Sequence, residues 1–207
     1  MQINSFLQSL SLFYFFPAVL LVYFLLPVKL RNLWLLVVSL FFYGWGEPKY
    51  VALMVATIVA FYVYGLAIGT GKRKKLWLTL SVITGIILLT IFKYADFFIG
   101  SFAAVTGLSL PLLRLALPIG ISFYTFQCMS YAVDVYRGDV APQKNIIHFG
   151  AYVALFPQLI AGPIVRYADI ARELEERSTT WEDTASGIRR FLVGLGKKYC
   201  WQTSWVS

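Results

Sequence analysis

Four polar side chains recur along one apolar segment at a spacing that places them on a single helical face. They are Tyr124, Gln127, Tyr131 and Asp134, at offsets of 0, 3, 7 and 10 residues. Phenol, amide and carboxyl groups form hydrogen bonds, and leaving them unpaired in lipid is costly. The stripe is therefore predicted to face protein or water inside a helical assembly.

A second polar stripe follows on the next apolar segment. His148, Tyr152 and Gln158 have a similar spacing, with Leu155 filling the gap. The two stripes could line one cavity, or their hydrogen bonds could hold neighbouring helices together, as is common in polytopic bundles. The sequence leaves both interpretations open.

His148 is the single histidine, and a general base that works near neutral pH is most often a histidine. It lies beside Lys144 and Asn145 at the expected start of a span, where a histidine needs no chemical role, so the structural interpretation is favoured. One histidine cannot form a multi-histidine metal site, and Cys128 and Cys200 are far apart in sequence. No metal site is predicted.

The composition places the chain in a membrane. Of its 207 residues, 59% are hydrophobic and only 14% are charged, which leaves too little polar surface to cover a soluble globule. The net charge of +8 is spread between apolar runs, with one tight cluster at residues 72–75. Orientation in the bilayer explains these bases better than nucleic-acid binding, so no nucleic-acid partner is predicted.

Seven apolar stretches are predicted as membrane helices, because a crossing needs roughly 17 to 25 mostly apolar residues. The charged region 166–198 is predicted as a wet helical excursion, in which Thr179 and Glu182 have the spacing of a capping box. The fold class is thus all-α, a polytopic transmembrane helical bundle of about seven spans. The stretches are residues 6–26, 33–43, 50–68, 76–92, 95–113, 118–135 and 145–164.

Basic residues in the expected loops predict the orientation. Lys29 and Arg31 follow the first span and the 72–75 cluster follows the third. This pattern places the amino terminus outside. Continued alternation puts Lys93 outside, residues 137–144 outside and the 166–198 region inside.

Glycine and proline interrupt the apolar segments at two places. At the first, Trp45 with Tyr43 and Tyr50 suits the headgroup boundary, so an aromatic anchor is favoured over a substrate entrance. At the second, the Gly-Pro pair at 162–163 lies just before Arg166. This arrangement fits a re-entrant element and a plain helix exit equally well.

Four motifs occur in order along the chain. Together they resemble the membrane-bound O-acyltransferase family, in particular its bacterial alginate O-acetyltransferase branch, over residues 9–198. The motifs are Phe-Tyr-Gly-Trp-Gly-Glu-Pro-Lys-Tyr from Phe42, Pro-Ile-Gly-Ile-Ser-Phe-Tyr-Thr-Phe-Gln from Pro118, Phe-Pro-Gln-Leu-Ile-Ala-Gly-Pro-Ile-Val-Arg from Phe156 and Phe-Leu-Val-Gly-Leu-Gly-Lys-Lys from Phe191.

The resemblance implies a polytopic enzyme of the bacterial cytoplasmic (inner) membrane whose helices surround a tunnel. Such an enzyme passes an acyl group, acetyl in the alginate branch, from a cytoplasmic donor such as acetyl-CoA or another acyl thioester. The acceptor is an exported exopolysaccharide, and periplasmic or extracellular acetylation partner proteins complete the transfer. A related branch handles D-alanine for teichoic acids. No bound cofactor is implied.

Members of the family are typically more than twice as long, and their catalytic histidine lies in the later half. His148 does not occupy that position, so no catalytic residue is assigned in this chain. Residues 1–198 are interpreted as the amino-terminal part of one transmembrane domain and residues 199–207 as an unmatched tail, and the chain alone is expected to be inactive. A transporter or flippase component, or a structural membrane subunit, remains an alternative.

The resemblance also suggests roles for the polar stripes. Thioester attack by a hydroxyl requires a base for the proton and stabilisation of the developing oxyanion. Tyr124, Gln127 and Gln158 are candidates for the stabilisation or for donor binding, and Tyr131 for the tunnel wall. Arg166 could attract an anionic donor such as a phosphate-bearing thiol carrier.

Overall fold

The computed structural model describes residues 14–106, 117–161, 165–175 and 180–203. Within these ranges the regular elements are all helical, so the predicted all-α class is confirmed. The chain divides into two compact units, Met1–Leu174 and Glu175–Ser207. The helices, in chain order, are α1 (Phe16–Leu25), α2 (Val28–Gly46), α3 (Val51–Gly69), α4 (Lys74–Leu89), α5 (Ala95–Thr106), α6 (Ile121–Arg137), α7 (Ile146–Ala154), α8 (Phe156–Ala161), α9 (Tyr167–Glu175) and α10 (Trp181–Thr203).

Helices α2 and α3 are joined by a short turn. Glu47 ends α2, and a 3₁₀ turn over Pro48–Tyr50 leads directly into α3. Residues 44–46 are the last three residues of α2. The predicted short span 33–43 is part of this helix of 19 residues, which is about 28 Å long.

Helices α4 and α5 are joined by a π-helical segment over Thr90–Tyr94. The prediction of two spans separated by an outer loop at Lys93 is therefore wrong. The five joining residues include neither glycine nor proline, so nothing there interrupts the backbone hydrogen bonds that lipid requires. One long helix replaces two predicted crossings.

Two described helices are long and apolar enough to cross a membrane, Pro48–Gly69 and Lys74–Phe102. The predicted count of about seven spans is not reached within the described residues, and the first half of the 6–26 stretch lies outside them. Only 33% and 11% of the most apolar windows of these two helices are buried. The core helix of a soluble protein would be mostly covered, so these exposed apolar faces suit contact with lipid.

The helices of the first unit meet at two opposite ends, where segments far apart in sequence contact each other. At one end, the Ile119 N–H donates to Glu47 Oε2 (3.1 Å), and the Tyr50 ring contacts Phe92. At the other end, Gly69 packs directly against Pro142. We call these the Glu47 end and the basic end, and α6 runs from the first to the second.

The basic end collects most of the cations of the first unit. Because α2 and α4 run antiparallel to α3, their first residues lie at the Gly69 end of α3. The predicted position of residues 137–144 on the side opposite the 72–75 cluster is wrong, since one crossing fewer before α6 reverses the alternation. The cations at this end are Lys29, Arg31, Lys72, Arg73, Lys74, Lys75, Arg137, Lys144 and Arg166.

Residues 143–167 enter the bundle and leave it at the same end. Gln143 Nε2 donates to Tyr167 Oη (2.7 Å), while Leu159, between them in sequence, packs on Gly120 at the start of α6. This path supports the re-entrant interpretation of the segment that precedes Arg166. The Gly-Pro pair at 162–163 itself lies outside the described residues.

The predicted single helix over 145–164 is interrupted at Leu155, which adopts φ −51° and ψ 108° between α7 and α8. The physical cause is Pro157. It has no N–H to donate to the Val153 carbonyl, so the helix cannot continue through it. The break turns the chain into α8, which carries Leu159 to Gly120.

The second unit consists of α10, which begins with a capping box. The Asp183 N–H donates to Thr180 Oγ1 (3.2 Å), and the Thr180 N–H donates to Asp183 Oδ2 (3.1 Å). This box lies one residue after the predicted pair of Thr179 and Glu182, of which Thr179 lies outside the described residues. The helix continues through the predicted tail junction at 198, and the domain boundary stays a prediction.

Candidate functional site

The polar stripe of α6 faces the interior of the first unit. Tyr124 and Tyr131 have no exposed surface, and Gln127 and Asp134 are each 4% exposed. On the opposite face Phe126 is 48% exposed. The predicted inward orientation of the stripe is confirmed, and the apolar side of the helix is left for lipid.

Gln127 connects α6 to the re-entrant segment. Its Nε2 donates to the Tyr152 carbonyl (3.0 Å), and Tyr152 Oη donates to the Val165 carbonyl (3.0 Å). One chain of contacts therefore joins α6, α7 and the stretch before α9. At this position the amide therefore joins two neighbouring segments of the bundle.

Tyr131 belongs to a second buried network. Its hydroxyl accepts from the Gln143 N–H (2.9 Å), and the Gln143 side chain donates to Tyr167. The Tyr131 ring lies 4.6 Å from that of Phe149 and 5.0 Å from that of Tyr167, between centroids. We call the region of Gln127, Tyr131, Gln143, Tyr152 and Tyr167 the paired cluster, since its polar groups bond one another or backbone.

Tyr124 lies nearer the Glu47 end and differs from the other tyrosines of the site. Its hydroxyl neighbours that of Tyr43 from α2, and the Glu47 carboxylate is close to both. The two hydroxyls interact with each other, and neither has a hydrogen-bond partner outside the pair among the described residues. We call Tyr43 and Tyr124 the phenol pair.

The predicted role of Tyr43 as a headgroup anchor is wrong, because only 6% of its surface is exposed. Its position on α2 turns the ring toward α6, against which it packs in the main hydrophobic cluster. Trp45, two residues later and 76% exposed, does fit the anchor interpretation.

Gln158 and Arg166 lie at different depths of the bundle. Gln158 is half-buried on α8, next to Leu159, which contacts Gly120. Arg166 is exposed at the start of α9, near the Asp134 carboxylate. From Gly120 to Asp134 the helix rises about 21 Å. The predicted site residues therefore lie at different depths along α6 and do not converge on one point.

The second predicted stripe is only partly buried. Tyr152 is 1% exposed, whereas His148 is half-buried in the first turn of α7, close to the basic end. Asn145 caps this helix by accepting from the Ile147 N–H (2.9 Å). Nothing in this arrangement assigns chemistry to His148.

Sequence reasoning missed three residues of the site: Tyr43, Gln143 and Tyr167. Tyr43 belongs to an aromatic-rich motif that also fits a membrane boundary, and Gln143 follows a proline in an expected loop. Tyr167 starts a helix in a charged region. None of the three carries a periodic signal, because each reaches the site through the tertiary fold.

Relatives of known name are similar to nearly the whole chain. A probable alginate O-acetylase AlgI of Pseudomonas syringae pv. tomato is 41% identical, over 93% of this chain and 39% of its own length. The corresponding protein of Azotobacter vinelandii is 40% identical, over 93% of this chain and 40% of its own length. A peptidoglycan O-acetyltransferase of Helicobacter pylori is 32% identical, over 91% of this chain and 42% of its own length.

No family model matches the chain, and no solved structure matches it significantly. The similarities nevertheless confirm the resemblance to membrane-bound O-acyltransferases of the alginate O-acetyltransferase branch. The chain spans about two fifths of the length of these relatives.

Proposed function

We propose that this chain forms part of a membrane-bound O-acyltransferase that transfers acetyl groups to an exported polysaccharide such as alginate. The observation that carries the proposal is 41% identity to a probable alginate O-acetylase over 93% of the chain. It is supported by lipid-facing helices on the outside of the first unit and a polar stripe inside it.

The uneven distribution of charge supports an orientation for this reaction. Cations cluster at the end of the bundle that holds residues 72–75 and Arg166, and such clusters favour the cytoplasmic side. If this end faces the cytoplasm in a bacterial inner membrane, the residues that precede Lys29 would start on the outer side of that membrane. An anionic thioester donor such as acetyl-CoA would then meet Arg166 first.

In the proposed reaction, a hydroxyl oxygen of the acceptor bonds to the acyl carbon and the carbon–sulfur bond breaks. The hydroxyl proton passes to a general base, the sulfur leaves as a thiolate, and the base returns the proton to it so that a free thiol is released. Tyr124, Gln127, Tyr131 and Gln158 form part of the wall along which the acyl group passes. Partner proteins outside the cell membrane would receive the group and complete its transfer to sugar.

Labelled acetyl transfer tests this proposal. Membranes containing the protein extended to the full length of its relatives are incubated with acetyl-CoA labelled in the acetyl group. Label bound covalently to polysaccharide is the expected result, and uptake of label without covalent transfer would contradict it in favour of a transporter. The 207 residues alone, in liposomes, are expected to show no transfer.

Substitution of the wall amides tests their role. Gln127→Leu and Gln158→Leu in the full-length protein should each lower turnover more than membrane abundance. Equal losses of turnover and abundance would instead assign these residues to helix packing alone.

A further inference from the structure

We propose that Tyr43 and Tyr124 form a binding site for the carbonyl oxygen of the acyl group in transit. This inference rests on the proposed acyltransferase function and adds a defined ligand contact to it. It starts from the two hydroxyl groups of the phenol pair, for which the described residues offer no hydrogen-bond partner outside the pair, so that at least one O–H has no acceptor.

Burial makes these hydroxyl groups unusual. Tyr43 is 6% exposed and Tyr124 is fully buried, so bulk water does not satisfy them. Leaving a buried donor unsatisfied is destabilising, and most buried polar groups in folded proteins have partners. Two such groups side by side, from α2 and α6, indicate a place where an external atom completes the hydrogen bonds.

The donor pattern selects the kind of atom. Two phenol O–H groups can both donate to one oxygen, and a carbonyl oxygen offers two lone pairs and no proton of its own. The neighbouring Glu47 carboxylate disfavours an anion at this position. A neutral thioester or ester carbonyl therefore fits better than a carboxylate or a phosphate.

The position in the fold agrees with an acyl group that has passed the cationic entrance. The phenol pair lies toward the Glu47 end, where the Ile119 N–H holds the Glu47 carboxylate (3.1 Å). The cations that would attract an anionic carrier lie at the opposite end of α6. The pair would hold the acyl group where the acceptor approaches.

Carbonyl infrared spectroscopy tests the site directly. The 207-residue protein is placed in nanodiscs of ether-linked lipids, which contain no ester carbonyl, and S-acetylpantetheine labelled with carbon-13 at the carbonyl is added. The wild type should show a bound carbonyl band at lower wavenumber than the free thioester. Tyr43→Phe and Tyr124→Phe should each reduce that shift, and the double variant should abolish it.

Tyr64→Phe is the matched control, because its hydroxyl is hydrogen-bonded to Thr84 (3.0 Å) and lies outside the pair. This variant should keep the shifted band. Melting curves of all variants verify that the fold persists, and the two single substitutions keep the test decisive if the double variant fails to fold.

Three results would overturn the inference: no shifted band in the wild type, a shift that survives in the double variant, or a shift seen only for lipid carbonyls in ester-linked nanodiscs. The labelled-transfer assay is separate. Transfer by the full-length protein without a shifted band rejects the carbonyl site alone, whereas a shifted band without transfer rejects the acyltransferase function.

Discussion

The paired cluster and the phenol pair lie on the same face of the same helix, yet they differ in how their polar groups are satisfied. Tyr131 accepts from the Gln143 N–H, while the Tyr124 hydroxyl has no partner in the described part of the chain other than the Tyr43 hydroxyl. Both side chains are fully buried. Equal burial thus accompanies two different hydrogen-bonding states, a hydroxyl bonded to backbone at one position and a hydroxyl that meets only another phenol at the other.

The difference follows from what faces each end of α6. The re-entrant segment returns past Tyr131 and supplies Gln143 and Tyr167. Tyr124 faces α2, where its neighbour is Tyr43. The nearby Glu47 carboxylate accepts a hydrogen bond from the Ile119 N–H. When two phenols face each other, one O–H can donate to the other oxygen and the second O–H is left without an acceptor, whereas a phenol opposite backbone and amide groups is satisfied.

The largest expected effect comes from crowding the paired cluster. A Cβ added at Gly65 would lie 2.5 Å from Tyr131 Cε1 and 2.6 Å from its hydroxyl oxygen. Because that ring is held by its hydrogen bond, Gly65→Ala should lower the free energy of unfolding by about 1–3 kcal/mol. Thermal unfolding in detergent micelles measures the change.

Gly85→Ala is the matched control, since the new methyl group would meet the flexible end of the Met129 side chain. Its melting temperature should fall less than that of Gly65→Ala. Equal losses in the two variants would show that Tyr131 is no more rigidly held than Met129.

Removing single hydroxyl groups compares the two ends of the stripe directly. Tyr131→Phe leaves the buried Gln143 N–H without its acceptor and should cost about 1–3 kcal/mol of unfolding free energy. Tyr124→Phe loses only the interaction with the Tyr43 hydroxyl and no bond to a backbone N–H, so without ligand its stability should change less than that of Tyr131→Phe. A larger loss for Tyr124→Phe would remove the distinction between the two ends.

A smaller loss of stability is expected at the start of α7, where the re-entrant segment begins. Asn145→Ala removes the side-chain acceptor of the Ile147 N–H at the start of α7 and should cost about 1 kcal/mol. Asn145→Gly, which keeps a favourable helix start, should cost less. Equal melting temperatures for the two variants would contradict a capping role for the Asn145 side chain.

The smallest effect is expected where polar pairing is exposed to water, at the start of α10. Hydrogen bonds from the Thr180 hydroxyl and backbone N–H lower the pKa of Asp183. Since the folded pKa is lower than the unfolded value of about 3.9, this contribution is present above that pH and is lost as pH falls through the folded pKa.

Helicity of α10 measured by NMR against pH would report this loss. Thr180→Val should weaken the dependence by removing the hydroxyl donor. An identical titration of Asp183 in wild type and variant would show that the capping box does not hold the carboxylate.

Much of the fold and part of the site could be predicted from residue order. The three-and-four spacing on residues 124–134 placed that face inward, because a helix repeats every 3.6 residues and lipid excludes unpaired amides. Helix α3 was predicted within a few residues for the same reason. Errors arose where a local signal was ambiguous, as at the π-helical segment around Lys93.

By itself, the sequence determined the membrane class, the helical elements, the buried face of α6 and the resemblance to O-acyltransferases, since all four depend on composition, periodicity and contiguous motifs. Only the tertiary structure decided that residues 143–167 return to the end from which they enter, and that Tyr43 meets Tyr124. Those contacts join segments far apart in the chain. Their geometry depends on how whole helices pack, which no local spacing encodes.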